Sequence, residues 1–162
     1  MVEPFPKRDL QGMLRGLVVS SDSRLALLIT RDGHVVAEAG DLLGVDSTSL
    51  AALTAGMFSA TREVARLVGE TQFSILLQQG ERRHIHISLI GESTMMVVVF
   101  EDYQKIGRVR YEARKAGKVI GEALQAEAAV AKPLQEEGFS ITAFREYALN
   151  LIDRLFEPKS PG

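Results

Sequence analysis

One long helix with marked ends is predicted by the segment from Asp46 to Gly69, which reads DSTSLAALTAGMFSATREVARLVG. Asp46 and Ser47 carry side-chain oxygens that can accept hydrogen bonds from the free amides of a first helical turn. Gly69 is the residue type that most often adopts the left-handed conformation after a last turn. The fold must therefore accommodate a helix of this length, and this requirement constrains it more than any other feature.

Two stripes of this helix differ in the size of their side chains. The larger side chains recur at alternating three- and four-residue steps, which predicts a stripe that faces a core. Its members are Leu50, Leu53, Met57, Ala60, Val64 and Leu67. The second stripe is small and consists of Ala52, Ala55, Gly56 and Ser59. A glycine in a helix interior costs about 1 kcal/mol relative to alanine, which predicts close approach by another backbone, either within the chain or from a partner.

Composition and charge indicate one domain and exclude several classes of site. The chain has 162 residues, of which 46% are hydrophobic and 25% are charged, and domains near this size are stable without cross-links. It contains no cysteine, which excludes disulfides, catalytic thiolates and cysteine-ligated metals. The formal net charge of −2 argues against a nucleic-acid binder with an overall basic surface.

Neither a membrane-spanning nor a secretory segment is predicted. The apolar run Met95–Phe100 is far shorter than a bilayer requires, and the N-terminal stretch MVEPFPKRDL lacks the apolar part of a signal peptide. We therefore expect a cytoplasmic protein that neither inserts into a membrane nor binds nucleic acid.

The remaining pattern alternates helices with short strands. Turn residues separate a hairpin before the long helix and three consecutive strands after it, which favours an α+β fold with an antiparallel five-stranded sheet and helices on its faces. Besides the long helix, the predicted elements are a helix at Arg8–Ser20, strands at Leu25–Thr30, Val35–Ala37, Thr71–Gln78, Arg83–Ile90 and Ser93–Glu101, and helices at Gly107–Ala131 and Ser140–Phe156.

The C-terminal part of the chain is predicted to be separate from the sheet. Pro133 should end the helix that begins at Gly107, because proline interrupts the helical hydrogen-bond ladder. Residues 132–138 then form a polar linker. This divides the chain into a sheet-containing domain, 1–131, and a linker with an amphipathic helix and tail, 132–162.

No specific catalytic or metal-binding pattern emerges from the residues. His84 and His86 share one face of a predicted strand, but no third ligand is apparent, so we expect polar residues at an edge or on the surface. Gly117 and Lys118 resemble the end of a phosphate-binding loop but lie within a predicted helix. We therefore expect no active site, no metal and no cofactor.

Several segments resemble the roadblock/dynein light chain family. They are DSTSLAALTAG at 46–56, LVGETQF at 67–73 and VVVFEDYQKIGRVRYEARKA at 97–116, and the similarity extends from about Leu10 to Ala131. Within the family the chain is most similar to the MglB type of bacterial polarity regulators. The resemblance implies a homodimer that pairs through its long helix and third strand, and a partner that is a small Ras-like GTPase of the MglA type. It also implies a role in cell polarity or motility, with the protein concentrated at a cell pole.

The resemblance also implies site residues by position. The GTPase would lie across the long helices of the dimer and contact the small stripe, and no catalytic residue is implied. The implied GTPase-binding residues are Ala52, Gly56, Ser59 and Glu63. The implied dimer-interface residues are Leu53, Met57, Ala60, Val64, Phe73 and Ile75.

The effect on the GTPase has more than one interpretation. An arginine inserted beside the transferring phosphate is worth up to about 10⁵ in rate, and Arg62 and Arg66 invite that interpretation. The resemblance instead implies that contact with the dimer repositions the GTPase's own catalytic residues, which requires differential contact and no catalytic side chain here. The alternative is a scaffold that recruits polarity or signalling proteins without activating a GTPase.

The predicted C-terminal helix, Ser140–Phe156, needs a surface for its apolar stripe. A helix of this length is marginal in water unless it packs against something. We expect it to rest loosely on the dimer and to join the GTPase interface when the partner is present. A permanent structural role is the alternative.

Overall fold

The structure, a computed structural model, describes residues 9–136, 149–150 and 152–154 and contains a five-stranded antiparallel sheet. The helices are α1 (Leu10–Ser21), α2 (Ser47–Leu67) and α3 (Ile106–Glu136). The strands, in the sheet order β2-β1-β5-β4-β3, are β1 (Leu25–Thr30), β2 (Val35–Gly40), β3 (Ile75–Gln79), β4 (His84–Ile90) and β5 (Thr94–Phe100). The predicted α+β fold class is confirmed.

Strand β5 forms the centre of the sheet. It pairs antiparallel with β1 on one side and with β4 on the other, so that Val97 lies opposite both Leu27 and Ile87. Every residue of β5 is buried. A continuous apolar strand of this kind is typical of a sheet whose two faces are both covered.

One face of the sheet packs on α2, and the other is covered by α1 and α3. The buried core on the α2 side comprises Leu25, Leu27, Ile29, Ala51, Ala55, Phe58, Ile87, Met95, Val97 and Val99. On the other side, α3 packs closely on the sheet at Gly117. A Cβ atom added to this glycine would lie 3.8 Å from the side chain of Ile90 and 3.9 Å from that of Met96. Arg108 of α3 donates a hydrogen bond of 2.6 Å to the carbonyl of Ser20 in α1, which ties these two helices together.

Helix α2 begins and ends as predicted. The Asp46 carboxylate accepts a 3.1 Å hydrogen bond from the Ser49 amide. Hydrogen bonds from the Ser49 hydroxyl and amide lower the pKa of Asp46. At the other end Gly69 has φ +85°, its amide donates to Arg66, and the amide that follows it donates to Ala65 at 2.8 Å. This Schellman motif satisfies carbonyls that would otherwise lack partners.

Three predicted boundaries are wrong by three residues or more. Strand β2 continues to Gly40 rather than ending at Ala37, because its pairing with β1 extends to Leu25 opposite Gly40. Strand β3 begins at Ile75 rather than Thr71, because Ile75 pairs with Ser88 and the partner strand ends soon afterwards at the turn at Gly91. Helix α3 continues to Glu136 rather than ending at Ala131 before Pro133, so residues 132–136 of the predicted linker are helical. A proline removes one amide donor but leaves later residues free to donate to preceding carbonyls.

Most of the predicted C-terminal helix, Ser140–Phe156, lies outside the described residues. Residues 149–150 and 152–154 are helical. The chain divides into two compact units, 1–122 and 123–162, and the predicted division at residue 131 stays a prediction. No helix of the described residues combines the length and the apolar character needed to cross a bilayer.

His84 and His86 are buried, so the prediction that they lie at an edge or on the surface is wrong. Strand β4 is interior to the sheet, and the His84 ring lies 5.2 Å from that of Phe100 and accepts a hydrogen bond from the Gly80 amide. His86 is 1% exposed, and neither of its ring nitrogens has a hydrogen-bond partner among the described residues. Burial lowers the pKa of His86, and the nearby charge of Arg110 lowers it further.

Mild acid should destabilise the fold through His86. Its pKa in the fold lies below the reference value of 6.5, so the unfolded chain takes up a proton first as the pH falls. The free energy of unfolding should therefore decrease below about pH 6.5, by at most about 1.4 kcal/mol per pH unit for this group. Denaturant titrations between about pH 5 and 8 should show a smaller acid loss in His86→Leu than in the wild type.

The control for this experiment is Val36→Ala, which replaces a non-titrating side chain that is 44% exposed in β2. Its free energy of unfolding should change with pH as in the wild type. Identical slopes for the wild type and His86→Leu would contradict the role given to His86.

Candidate protein-binding surface

Helix α2 packs on the sheet through a different face from the one predicted. Its buried residues are Ala51, Thr54, Ala55, Phe58 and Ala65. Leu53 is 74% exposed and Leu67 is 87% exposed, so the prediction that the whole stripe faces the core is wrong. Of its members, only Leu50 and Met57 are partly buried against the core. Alanine side chains let the helix backbone approach the sheet closely, and Phe58 fills the space that remains.

The larger side chains of α2 form an outward stripe beside the edge strand β3. This surface, the apolar stripe, comprises Leu53, Met57, Ala60, Val64 and Leu67; Met57 is half-buried and the other members are exposed. The Gln78 side-chain amide of β3 donates a 2.9 Å hydrogen bond to the sulfur of Met57, which shows that strand and helix are neighbours. The apolar stripe therefore lies next to an edge of β3 that pairs with no strand among the described residues.

The six predicted dimer residues all lie at the surface of the isolated chain. Leu53, Ala60, Val64 and Ile75 are exposed, while Met57 and Phe73 are half-buried. Phe73 precedes β3 rather than lying within it. Residues 9–136 therefore leave these side chains available for a partner.

The second outward stripe of α2 carries the four predicted GTPase-binding residues. It consists of Ala52, Gly56 and Ser59 from the predicted small stripe, with the larger Glu63 at one end, and this set is called the small stripe from here on. All four residues are exposed, as the predicted GTPase-binding surface requires. A Cβ added at Gly56 would have no heavy atom within 4 Å, so the described residues supply no second backbone at this glycine. Ala55, which was predicted to belong to the small stripe, is instead buried against the sheet.

The turn between β1 and β2 packs beside the small stripe and encloses a pocket. Gly33 in this turn has φ +93°, and a Cβ added there would lie 3.0 Å from the Cα of Ala52, so glycine is required for this close approach. The pocket between the turn and α2 has a volume of about 340 Å³ and is lined by Arg31, Asp32, Ala55, Phe58, Ser59, Arg62 and Met95.

Two arginines line this pocket. The Arg31 guanidinium donates to the Glu92 carbonyl at 2.6 Å and to the Gln72 side-chain oxygen at 3.4 Å. Arg62 is half-buried on α2. Among the described residues, neither arginine has a carboxylate within 4 Å. The sequence pointed to Arg62 and Arg66 but not to Arg31, because Arg31 reaches the pocket only through the pairing of β1 within the sheet.

The carboxylates near the pocket already have partners. Asp32 accepts a hydrogen bond from the Thr30 hydroxyl and lies 3.5 Å from His34. The hydrogen bond from Thr30 is the main cause that lowers the pKa of Asp32. Glu63 of the small stripe lies 3.5 Å from Arg66, one turn along the same helix. The nearby carboxylates therefore do not neutralise Arg31 and Arg62, and the pocket combines an apolar lining with positive charge.

Comparison with known families finds one matching model. Residues 11–100 match the model of the Roadblock/LC7 domain. This range covers the sheet and α2, and it exceeds half of the 162 residues. Comparison with curated proteins found no significant match.

Solved structures of similar proteins agree with this result. Myxococcus xanthus MglB is 26% identical with a TM-score of 0.71, over 76% of this chain and 99% of that chain. The gliding protein MglB from Thermus thermophilus is 29% identical with a TM-score of 0.67, over 75% and 93% of the two chains. A structure described as MglB with a tetrameric arrangement is 28% identical with a TM-score of 0.67, over 75% and 92%. The chain therefore belongs to the Roadblock/LC7 domain family, with a fold similar to that of MglB proteins.

Proposed function

We propose that this protein is a homodimeric regulator that binds a small Ras-like GTPase of the MglA type and stimulates its GTP hydrolysis. One observation carries the proposal: an apolar stripe and a small stripe lie side by side on the outward surface of α2. Exposed apolar surface of this kind marks sites of protein interaction. Membership of the Roadblock/LC7 family and similarity to MglB proteins support a regulatory role without an active site of its own.

The apolar stripe and the edge of β3 form the proposed dimer interface. Leu53 and Val64 are 74% and 51% exposed in the isolated chain, and β3 ends the sheet with one unpaired edge. Pairing of β3 with its copy would satisfy the free amide and carbonyl groups and join two sheets into one. The residues proposed to be buried are Leu53, Met57, Ala60, Val64, Phe73 and Ile75.

The small stripe is the proposed GTPase-binding surface. Side chains as small as those of Ala52, Gly56 and Ser59 let another backbone approach α2 closely. Glu63, held by its ion pair with Arg66, adds a charged contact at one end of the stripe. In the dimer the two copies of α2 would present two such stripes, and the GTPase would lie across both.

The proposed effect is to reposition the GTPase's own catalytic residues. A regulator that binds one arrangement of its partner more tightly shifts the population toward that arrangement. A shift from 1% to 99% requires about 5.5 kcal/mol of differential binding, so the contacts must be ones that the inactive arrangement cannot make. Such regulation would serve cell polarity or motility, with the protein in the cytoplasm and concentrated at a cell pole.

Single-turnover GTP hydrolysis by an MglA-type GTPase, measured with and without this protein, tests the proposed function. A rate that rises with protein concentration to a plateau supports GTPase activation. Binding without any change in rate would instead support the scaffold interpretation. Absence of binding in a parallel titration would contradict the proposed regulation of the GTPase.

The dimer is expected to be obligate or nearly so. Sedimentation equilibrium at low micromolar concentration should give twice the chain mass of 17.7 kDa. Leu53→Asp should shift the protein to the monomer, because a carboxylate buried in an apolar seam is strongly unfavourable. Leu43→Asp is the matched control, since Leu43 is 83% exposed outside α2. A stable wild-type monomer would refute the interface.

Ser59→Arg should leave the fold intact and abolish GTPase binding. A long charged side chain on the small stripe would hold the two proteins apart. Circular dichroism checks the fold, and a titration with the GTPase measures affinity. Val19→Arg, at a 74% exposed position of α1, controls for the added charge. Unchanged affinity in Ser59→Arg would move the binding surface elsewhere.

Arg62→Ala and Arg66→Ala should each retain most of the stimulation at saturating protein. Neither residue is proposed to reach the transferring phosphate, since repositioning is the proposed mechanism. Single-turnover rates for both variants provide the measurement. A loss of roughly a thousandfold in either variant is the size expected for a removed arginine finger, and it would contradict repositioning.

A further inference from the structure

The pocket beside the small stripe has an apolar part and a charged part. The apolar part comes from the core and consists of Ala55, Phe58 and Met95. The charged part consists of Arg31 and Asp32 from the β1–β2 turn and Arg62 from α2. A side chain with an aliphatic stem and a charged end matches this division.

The two arginines of the charged part have no close counter-ion in the described part of the chain. Arg31 and Arg62 have no carboxylate within 4 Å among the described residues. Asp32 is the one carboxylate of the described lining, and Thr30 and His34 already engage it. The lining therefore carries two positive charges against one negative charge that is held elsewhere. Such a pocket favours an anionic group and disfavours a lysine or arginine of a partner.

We propose that this pocket receives an aspartate or glutamate side chain of the bound GTPase, an inference that rests on the proposed function. Ser59 belongs both to the pocket lining and to the small stripe, so a protein lying on the stripe can reach the pocket directly. Methylene groups of the incoming side chain would contact Phe58 and Met95. Its carboxylate would accept hydrogen bonds from Arg31 and Arg62, whose planar guanidinium groups suit carboxylate geometry.

The pocket is thus an affinity and specificity site and plays no part in the chemistry of hydrolysis. Loss of a charge-assisted hydrogen bond should weaken binding, while the rate within the saturated complex should stay near its wild-type value. This pattern separates the pocket from an arginine finger, whose removal lowers the saturated rate.

The primary test is Arg62→Gln, which keeps hydrogen-bonding capacity but removes the charge. The full-length protein is titrated with an MglA-type GTPase loaded with a non-hydrolysable GTP analogue. Binding should weaken roughly 10- to 100-fold. The difference from the wild type should shrink as salt is added, because salt screens the attraction. Arg31→Gln should act in the same direction, although Arg31 also holds the Glu92 carbonyl.

The matched control is Arg15→Gln. Arg15 is exposed on α1 and does not line the pocket. Its replacement should change affinity by less than about fivefold, as for an exposed charge. Replacing the acidic residues of the GTPase by alanine, one at a time, should reveal one whose loss weakens binding to the wild type but not to Arg62→Gln.

The outcomes separate the pocket from the binding surface as a whole. If Arg62→Gln and Arg31→Gln bind like Arg15→Gln while Ser59→Arg still blocks binding, the pocket proposal is overturned and GTPase binding stands. If Ser59→Arg also leaves binding unchanged, the GTPase binds elsewhere on this protein and the pocket proposal is overturned. If the wild type does not bind the GTPase at all, the proposed function itself fails. Weakened binding in Arg62→Gln with an unchanged saturated rate supports the proposal.

Discussion

Close packing of α2 on the sheet determines which surfaces of this protein remain available to other molecules. Ala51, Ala55 and Ala65 line the buried side of the helix, and Phe58 is the large side chain that enters the core. A helix that approaches a sheet through alanines cannot also bury the leucine and valine side chains on its other side. Among the described residues the apolar stripe therefore stays at the surface, where a second molecule can bury it.

The order of the strands determines which strand edge lies beside α2. Because β5 lies at the centre and β3 at one end, the unpaired edge of β3 lies beside the apolar stripe rather than on the far side of the sheet. The β1–β2 turn approaches α2 from another direction, and Gly33 permits its contact with Ala52. The same helix thus borders a proposed dimer seam, a proposed partner surface and a charged pocket.

Features set by neighbouring residues could be predicted from the sequence. The caps at Asp46 and Gly69 depend on side chains and backbone conformations within a single turn, and β1 was predicted with its observed bounds. The buried face of α2 could not be predicted in this way. Hydrophobic periodicity identifies an apolar stripe but does not show which molecule buries it. The pattern predicts that the leucine and valine side chains of α2 face the core, where alanines and Phe58 lie instead.

Features that depend on distant segments also escaped prediction. His86 looked like a surface residue because the sequence does not show which helix covers that face of β4. In the fold, Arg110 of α3 lies near His86. The start of β3 depends on where β4 ends, and the pocket forms only when the turn carrying Arg31 meets the helix carrying Arg62. The family resemblance was the source of the two proposals for α2, a dimer interface and a GTPase-binding surface. No local pattern in the sequence assigns either surface to a particular partner.

Site-specific labelling tests the central claim that two neighbouring stripes of α2 serve two different partners. The chain contains no cysteine, so Leu53→Cys, Ser59→Cys and the control Val19→Cys each report on one position. The account predicts that a maleimide reagent modifies Leu53→Cys slowly in the free protein. It predicts that Ser59→Cys reacts quickly until GTP-bound GTPase is added and slowly afterwards, while Val19→Cys reacts quickly throughout. Equally rapid labelling of Leu53→Cys and Ser59→Cys, with and without the GTPase, would contradict the account.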